Sequence, residues 1–199
     1  MSNPKFIESL KLVGERFSNI ELHQQRIDLT SKMFSINSKI ELKDISIPNF
    51  NDDLVRKCRI IYSKDDFSVS FSEYKQRKIE NLKVVFDDTI DYSYKFENRD
   101  RLNSLFEDRG DCSDIIIVKN GCLSDTSFSN IVLFDGDKYF TPSSFLLNGT
   151  MRQKLLRDNI IFEKEIKLED IHHFKKLYLI NALNSIEDNL SVSVENIIS

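Results

Sequence analysis

The stretch DIIIVKNGCLSDTSFSNIVLFDGDKYFTP, residues 114–142, decides the fold. Its first apolar run, DIIIV, predicts a buried strand, and the Asn120-Gly121 pair that follows is a strong signal for a hairpin turn. Farther on, NIVLF and KYFT flank the turn sequence DGD and predict a second hairpin.

On both sides of this stretch, strand and helix patterns alternate. Strand patterns occur at 6–19, 59–74, 82–86 and 177–183, and helix patterns at 22–34, at 98–108 and after Gly149. This alternation predicts a mixed α/β (α+β) fold of two small subdomains. We place the first at residues 1–90, a linker at 91–95 and the second, larger subdomain at 96–199.

Composition excludes several functional classes. The 199 residues carry a formal net charge of -4, which argues against a sequence-independent nucleic-acid binder. No apolar run approaches the roughly 20 residues that span a bilayer, and the start of the sequence lacks a secretory apolar region. The cysteines Cys58, Cys112 and Cys122 show no C-x-x-C spacing, so neither a disulfide framework nor a metal cage is expected. We therefore expect a cytoplasmic protein that binds neither a membrane nor a nucleic acid, and composition does not indicate its chemistry.

A few polar residues stand at positions that could carry chemistry. His23 and Arg26 are three residues apart on a predicted helix and therefore share a face, which is typical of a solvated surface and also compatible with an anion site. Lys95 lies in the predicted linker, and Asp125 follows the Asn-Gly turn. The segment 149–152 opens a helix, whose first N–H groups can bind a phosphate.

These residues belong to a longer set of short motifs that occur in a fixed order. The set comprises FIESL (6–10), the H-x-x-R of His23 and Arg26, Lys95 followed by Asn98-Arg99, the D-x-x-x-x-N of Asp125 to Asn130, Thr141-Pro142, LNGTMR (147–152) and INAL (180–183). In this order they resemble the class IV aminotransferase family, the fold-type IV enzymes that use pyridoxal 5'-phosphate (PLP). Within the family they are most similar to the lyases that act on 4-amino-4-deoxychorismate.

The resemblance implies a role for each matching residue. Lys95 would form the Schiff base with PLP and then act as the proton-transfer base. Arg26 would bind the PLP phosphate together with the backbone N–H groups of Thr150 and Met151. Asp125 would pair with the pyridine nitrogen and keep it protonated, so that the ring serves as an electron sink. Family members usually carry a glutamate at this position, and aspartate is one methylene shorter.

Other roles stay open from the sequence. Asn181 is equally consistent with holding a polar group of the substrate and with satisfying backbone groups at a strand end. Arg59, Arg99 and Arg152 are each candidates for a substrate carboxylate and each equally compatible with a surface or structural position.

The resemblance also implies an activity and an assembly. We expect a PLP-dependent lyase that converts 4-amino-4-deoxychorismate, a small anionic substrate, to 4-aminobenzoate and pyruvate in folate biosynthesis. The alternatives are an aminotransferase for branched-chain or D-amino acids and a catalytically degenerate binding protein.

The resemblance to this family also implies a homodimer with PLP in the cleft between the subdomains. Family members usually carry a further strand and loop before FIESL, so we expect a more open site here or one covered by a partner subunit.

Overall fold

A computed structural model describes residues 3–37 and 40–198. The helices and strands, in chain order, are β1 Phe6–Val13, β2 Arg16–Phe17, α1 Ile20–Phe34, β3 Arg56–Tyr62, β4 Phe67–Glu73, β5 Leu82–Phe86, α2 Asp100–Glu107, β6 Asp114–Lys119, β7 Cys122–Thr126, β8 Asn130–Phe134, β9 Tyr139–Pro142, α3 Thr150–Arg157, β10 Phe162–Lys164, β11 Lys176–Ile180, β12 Ser191–Ser193 and β13 Ile197–Ile198. The mixed α/β class predicted from the sequence is confirmed.

The chain forms two compact units whose boundaries differ from the predicted ones. The first unit contains residues up to 75 together with 94–98, and the second contains 76–93 together with the residues from 99 onward. Residues 76–93 belong to the second unit because β5 pairs in parallel with β6 along its whole length. A parallel pair needs a crossover connection, and 94–98 together with α2 lie in that connection.

The first unit is a four-stranded sheet with one helix. Its strand order is β2-β1-β3-β4, with antiparallel pairs throughout. The apolar residues of β1 and β3 that face α1 form the core, in which the ring of Phe6 lies 4.7 Å from that of Phe34 and 5.6 Å from that of Tyr62. Ile27 of α1 completes this core, so α1 is held by the burial of its apolar side.

The segment 94–98 is fixed alongside β1. The backbone N–H of Ile7 donates to the carbonyl of Lys95 at 2.9 Å, and that of Glu97 donates to the carbonyl of Lys5 at 2.8 Å. Between these bonds Phe6 and Phe96 form an isolated bridge, with their rings 5.1 Å apart. The carbonyl of Lys95 is therefore hydrogen-bonded to β1, next to the bridge at Phe96.

The second unit contains two sheets. One has the strand order β13-β5-β6-β7 and the other β10-β9-β8-β11-β12. The Asn120-Gly121 pair joins β6 to β7 with positive φ at both residues, 51° and 77°, as the sequence predicted for a two-residue hairpin. Residues 114–118 are completely buried, and Ile116 and Val118 belong to the core cluster of this unit. The short strands β10, β12 and β13 were not predicted.

Among the described residues, no helix is both long enough and apolar enough to cross a membrane.

The core of the first unit yields a stability prediction. Phe6→Ala removes a ring that is fully buried among other aromatic rings, and we expect a loss of about 3–5 kcal/mol in the free energy of unfolding. Phe86→Ala is the matched control, because that ring is 67% exposed and its loss should change the free energy by about 0.5 kcal/mol or less. Urea denaturation measures both, and equal losses would contradict the assigned core.

Candidate functional site

The first unit contains a buried group of charged side chains. Glu8 of β1 is completely buried and lies opposite Ile60 of β3, on the face of the sheet that carries the core. Arg26 of α1 binds it through two hydrogen bonds, Nε to Oε1 at 2.6 Å and Nη2 to Oε2 at 2.7 Å. His23, one turn earlier on α1, places its Nδ1 2.7 Å from Oε2. The predicted shared face of His23 and Arg26 thus points inward at a carboxylate.

The protonation states in this group follow from its contacts. Burial raises the pKa of Glu8, but the Arg26 charge and the hydrogen bonds from Arg26 and His23 outweigh it and lower this pKa to about 2. Burial lowers the pKa of His23, and the hydrogen bond to Glu8 opposes that shift without cancelling it. His23 is therefore neutral at pH 7. Because an ionised carboxylate only accepts, Nδ1 of His23 carries the hydrogen and donates it to Glu8.

Lys95 belongs to the same group. Its backbone is paired to β1 at Ile7, one residue from Glu8, and its charge contributes to lowering the pKa of His23. Arg26 and Lys95, two of the predicted site residues, therefore both lie near enough to His23 for their charges to lower its pKa. Arg59 does not join them, because on β3 it lies opposite Ser9 and thus on the other face of the sheet.

In the second unit the central feature is the buried carboxylate of Asp125 on β7. The backbone N–H groups of Leu146 and Leu147 both donate to its Oδ2 at 3.0 Å. The side-chain amide of Asn130, at the start of β8, donates to Oδ1 at 2.8 Å. Three neutral donors from two different segments thus hold one carboxylate.

A glycine makes this arrangement possible. The Asn130 amide also donates to the carbonyl of Leu147 at 2.8 Å, and this brings it against the backbone of Gly149. A Cβ at position 149 would lie 2.1 Å from the Asn130 oxygen, so any larger residue would displace the amide that holds Asp125. Gly149 is also the N-cap of α3. The Asp125 carboxylate and the beginning of α3 are therefore neighbours.

The pKa of Asp125 shifts in the opposite direction to that of Glu8. Burial raises it to about 6, and the hydrogen bonds from Leu147, Asn130 and Leu146 offset only part of this effect. A cation placed against this carboxylate would favour its ionised form, and the nitrogen of a protonated pyridine ring is such a cation. The chemistry of this buried acceptor fits the ring nitrogen of PLP.

The beginning of α3 is buried. Thr150 and Met151, the first residues of the helix, are exposed by 1% and 7%. Arg152 follows and is also buried, where it donates to the carbonyl of Pro142 at 3.0 Å and pairs with Glu163. Arg152 therefore anchors α3 to the end of β9, and its charge also lowers the pKa of Asp125.

Two further candidates hold the loop between β7 and β8. Arg99 donates to the backbone carbonyl of Ser127, and Asn181 donates to the hydroxyl of Ser129 at 2.9 Å. The side-chain oxygen of Asn181 accepts from the backbone of Leu183 at 2.8 Å, which stabilises the turn after β11. These contacts with backbone groups at a strand end correspond to one of the two roles that the sequence left open for Asn181.

Sequence reasoning did not single out Glu8, although a signal was present. In the alternation of β1, Phe6, Glu8, Leu10 and Leu12 all fall on the core-facing side. A charged residue at a core position indicates a specific partner. The backbone donors to Asp125 carried no such signal, because any residue supplies an N–H.

Among the described residues, His, Cys, Asp and Glu side chains form no group of three or more that could hold a metal ion.

Comparison with known proteins places this geometry in context. The sequence profile "Amino-transferase class IV" matches residues 101–187. An uncharacterised protein of Haemophilus influenzae is 33% identical over 183 residues, which cover 90% of this chain and 97% of that protein. A crystal structure from Haemophilus somnus, of a protein provisionally assigned as a 4-amino-4-deoxychorismate lyase, is 30% identical and has a TM-score of 0.82, covering 93% of this chain and 99% of that one. An aminotransferase of Brucella abortus bound to PLP is 13% identical with a TM-score of 0.71, covering 98% and 81%, and shows the likeness of fold alone.

The raised pKa of Asp125 leads to a prediction for the protein without ligand. Its carboxyl should titrate near pH 6, compared with an ordinary value of 3.8. The folded protein then binds this proton more tightly than the unfolded chain, so the resulting stabilisation is complete below pH 3.8. It is lost as the pH rises to about 6, and it amounts to about 3 kcal/mol for a shift of about two pH units.

Carbon-13 NMR of the carboxyl groups measures this titration, with Asp125→Asn to assign the signal. Asp87 is the internal comparison, because the Arg101 hydrogen bond lowers its pKa to about 2 despite its burial. A midpoint for Asp125 close to pH 4 would contradict the assigned environment.

Proposed function

Since this chain belongs to the class IV aminotransferase family, a family of PLP-dependent enzymes, we propose that it is a lyase that converts 4-amino-4-deoxychorismate to 4-aminobenzoate and pyruvate. The observation that carries the choice of a lyase is the Haemophilus somnus relative, which matches this chain over nearly the full length of both. The charged groups of the two units support the choice of cofactor.

The proposed roles in cofactor binding follow from the contacts of each unit. Asp125 supplies a buried carboxylate whose ionised form a pyridinium nitrogen would stabilise. Arg26 is a guanidinium fixed in direction by Glu8 and is suited to a phosphate group. The beginning of α3, with Thr150 and Met151, adds backbone N–H groups of the kind that bind phosphates.

Lys95 is the proposed catalytic residue. Its backbone is fixed on β1, so the motion available to it is that of a flexible side chain carrying an amine. The Nζ of Lys95 would bind the aldehyde of the cofactor. Once the substrate amine takes its place there, the released Nζ would be available as a base for the substrate. When bound, PLP withdraws electrons from the carbon that carries the substrate amine.

The proposed chemistry is an elimination whose atoms balance without a second substrate. The Nζ of Lys95 would remove the proton from the ring carbon that carries the amine, and the Asp125 carboxylate would hold the ring nitrogen of the cofactor in its protonated form. The bond between the ring and the enolpyruvyl oxygen then breaks, and the ring becomes aromatic. Transfer of the proton to the departing three-carbon fragment yields pyruvate.

An aminotransferase is the second candidate, because the profile that matches residues 101–187 describes that class of enzyme. The same side chains would serve, but the proton removed by Lys95 would return to the cofactor carbon and the amine would pass to a keto acid. The family resemblance further supports a homodimer in the cytoplasm.

Titration with PLP tests the cofactor assignment. The purified protein should develop the absorbance of PLP bound covalently to a lysine, and Lys95→Ala should abolish it because the reactive amine is lost. Lys64→Ala is the matched control, since Lys64 lies exposed in the turn between β3 and β4 and should leave the spectrum unchanged. Wild-type protein without this absorbance at saturating PLP would overturn the enzyme assignment in favour of a degenerate binding protein.

Product analysis tests the reaction. The PLP-loaded protein should release 4-aminobenzoate and pyruvate in equal amounts from 4-amino-4-deoxychorismate without any added keto acid, because the elimination needs no amino acceptor. Lys95→Ala should reduce the rate by at least about a hundredfold, the usual contribution of a positioned base. A requirement for 2-oxoglutarate or pyruvate as amino acceptor would instead identify an aminotransferase.

A further inference from the structure

The carboxylate of Glu8 has no direct part in the proposed reaction, yet it is the most completely enclosed charge of the first unit. Its side chain is 0% exposed, and it lies between Phe6 and Leu10 on the core-facing side of β1. Moving a carboxylate out of water is costly unless hydrogen bonds compensate for the loss of hydration. Here Arg26 and His23 together supply three such bonds, of 2.6 to 2.7 Å.

Stability alone is a poor explanation for this carboxylate. An ion pair in a protein interior often contributes no more stability than well-packed apolar residues of similar volume. Phe6, Leu10 and Ile60, next to Glu8 on the strand or opposite it, are all buried apolar residues. What a carboxylate provides and an apolar side chain cannot is a fixed direction for the guanidinium of Arg26.

The geometry points to Glu8 as a positioning residue that aims Arg26 at the phosphate of the cofactor, an inference that rests on the proposed function. Glu8 engages the Nε and Nη2 edge of the guanidinium, one oxygen to each nitrogen. A planar guanidinium held along one edge has its plane and its remaining N–H directions set by that contact. The strand β1, rather than the rotamers of a long side chain, thus determines where Arg26 points.

His23 completes the arrangement on the side of Oε2. It is neutral, so its Nδ1–H donates to Glu8 without adding a third positive charge beside Arg26 and Lys95. Oε2 then accepts from both His23 and Arg26, and Oε1 accepts from Arg26. A glutamine at position 8 would set its NH₂ group against a donor of Arg26 in either orientation of the amide, and the alignment would be lost.

A comparison of two cofactor forms isolates this role. PLP and pyridoxal share the ring and the aldehyde, but only PLP has the phosphate. We expect Glu8→Gln to weaken PLP binding by at least about tenfold, the scale of one charge-assisted hydrogen bond, while pyridoxal binding stays unchanged. Dissociation constants for both come from absorbance titrations. A purely structural role for Glu8 would weaken both ligands equally.

The controls separate this role from general damage and from failure of the proposed function. Asp87→Asn breaks the pair of a buried carboxylate with Arg101 in the second unit and should leave the ratio of the two constants unchanged. If wild-type protein binds neither PLP nor pyridoxal, the proposed function fails. If it binds PLP more tightly than pyridoxal and Glu8→Gln preserves that preference, the positioning role is wrong.

A double-variant cycle covers the case in which Glu8→Gln does not fold. Arg26→Gln alone should remove the preference for PLP over pyridoxal, because the phosphate loses its guanidinium. The double variant, with glutamine at both positions, contains no unpaired buried charge from this pair and should match Arg26→Gln in both constants. A further loss of PLP affinity in the double variant would mean that Glu8 acts independently of Arg26 and would overturn the inference.

Discussion

The need to hold the Asp125 carboxylate away from water determines how the second unit is arranged. A buried carboxylate without donors would not be tolerated, so two separate segments supply them: the backbone of Leu146 and Leu147, and the amide of Asn130. Asn130 can approach only because residue 149 is a glycine. Gly149 is also the N-cap of α3. The hydrogen bonds to Asp125 therefore connect β7, the loop that contains Leu146 and Leu147, and the beginning of α3.

Two of the buried carboxylates, Glu8 and Asp125, illustrate how surroundings set the protonation state of an acid. Glu8 contacts a guanidinium, and its pKa is lowered to about 2. Asp125 contacts only neutral donors directly, so burial prevails and its pKa is raised to about 6. The first carboxylate is a permanent anion that orients a cation, and the second is an acceptor that a cationic ligand would complete.

Patterns with strong local causes could be predicted from the sequence, and arrangements that depend on distant contacts could not. The hairpin at Asn120-Gly121 follows from two residues that tolerate positive φ, and it forms as expected. The segment 82–86 was predicted as a strand but placed in the wrong unit, because its partner β6 lies beyond a crossover. In the site, the positions of Lys95 and Asp125 could be proposed from motif order. The donors to Asp125 are backbone groups of a loop, which no residue type reveals.

The central claim is that Lys95 carries the cofactor. Borohydride reduction of the PLP-treated protein, followed by proteolysis and mass spectrometry of the peptides, tests it most directly, because reduction makes a lysine–PLP bond permanent. We expect one modified site, at Lys95, in nearly every molecule. Modification distributed over exposed lysines, or a Lys95 peptide without added mass, would contradict it.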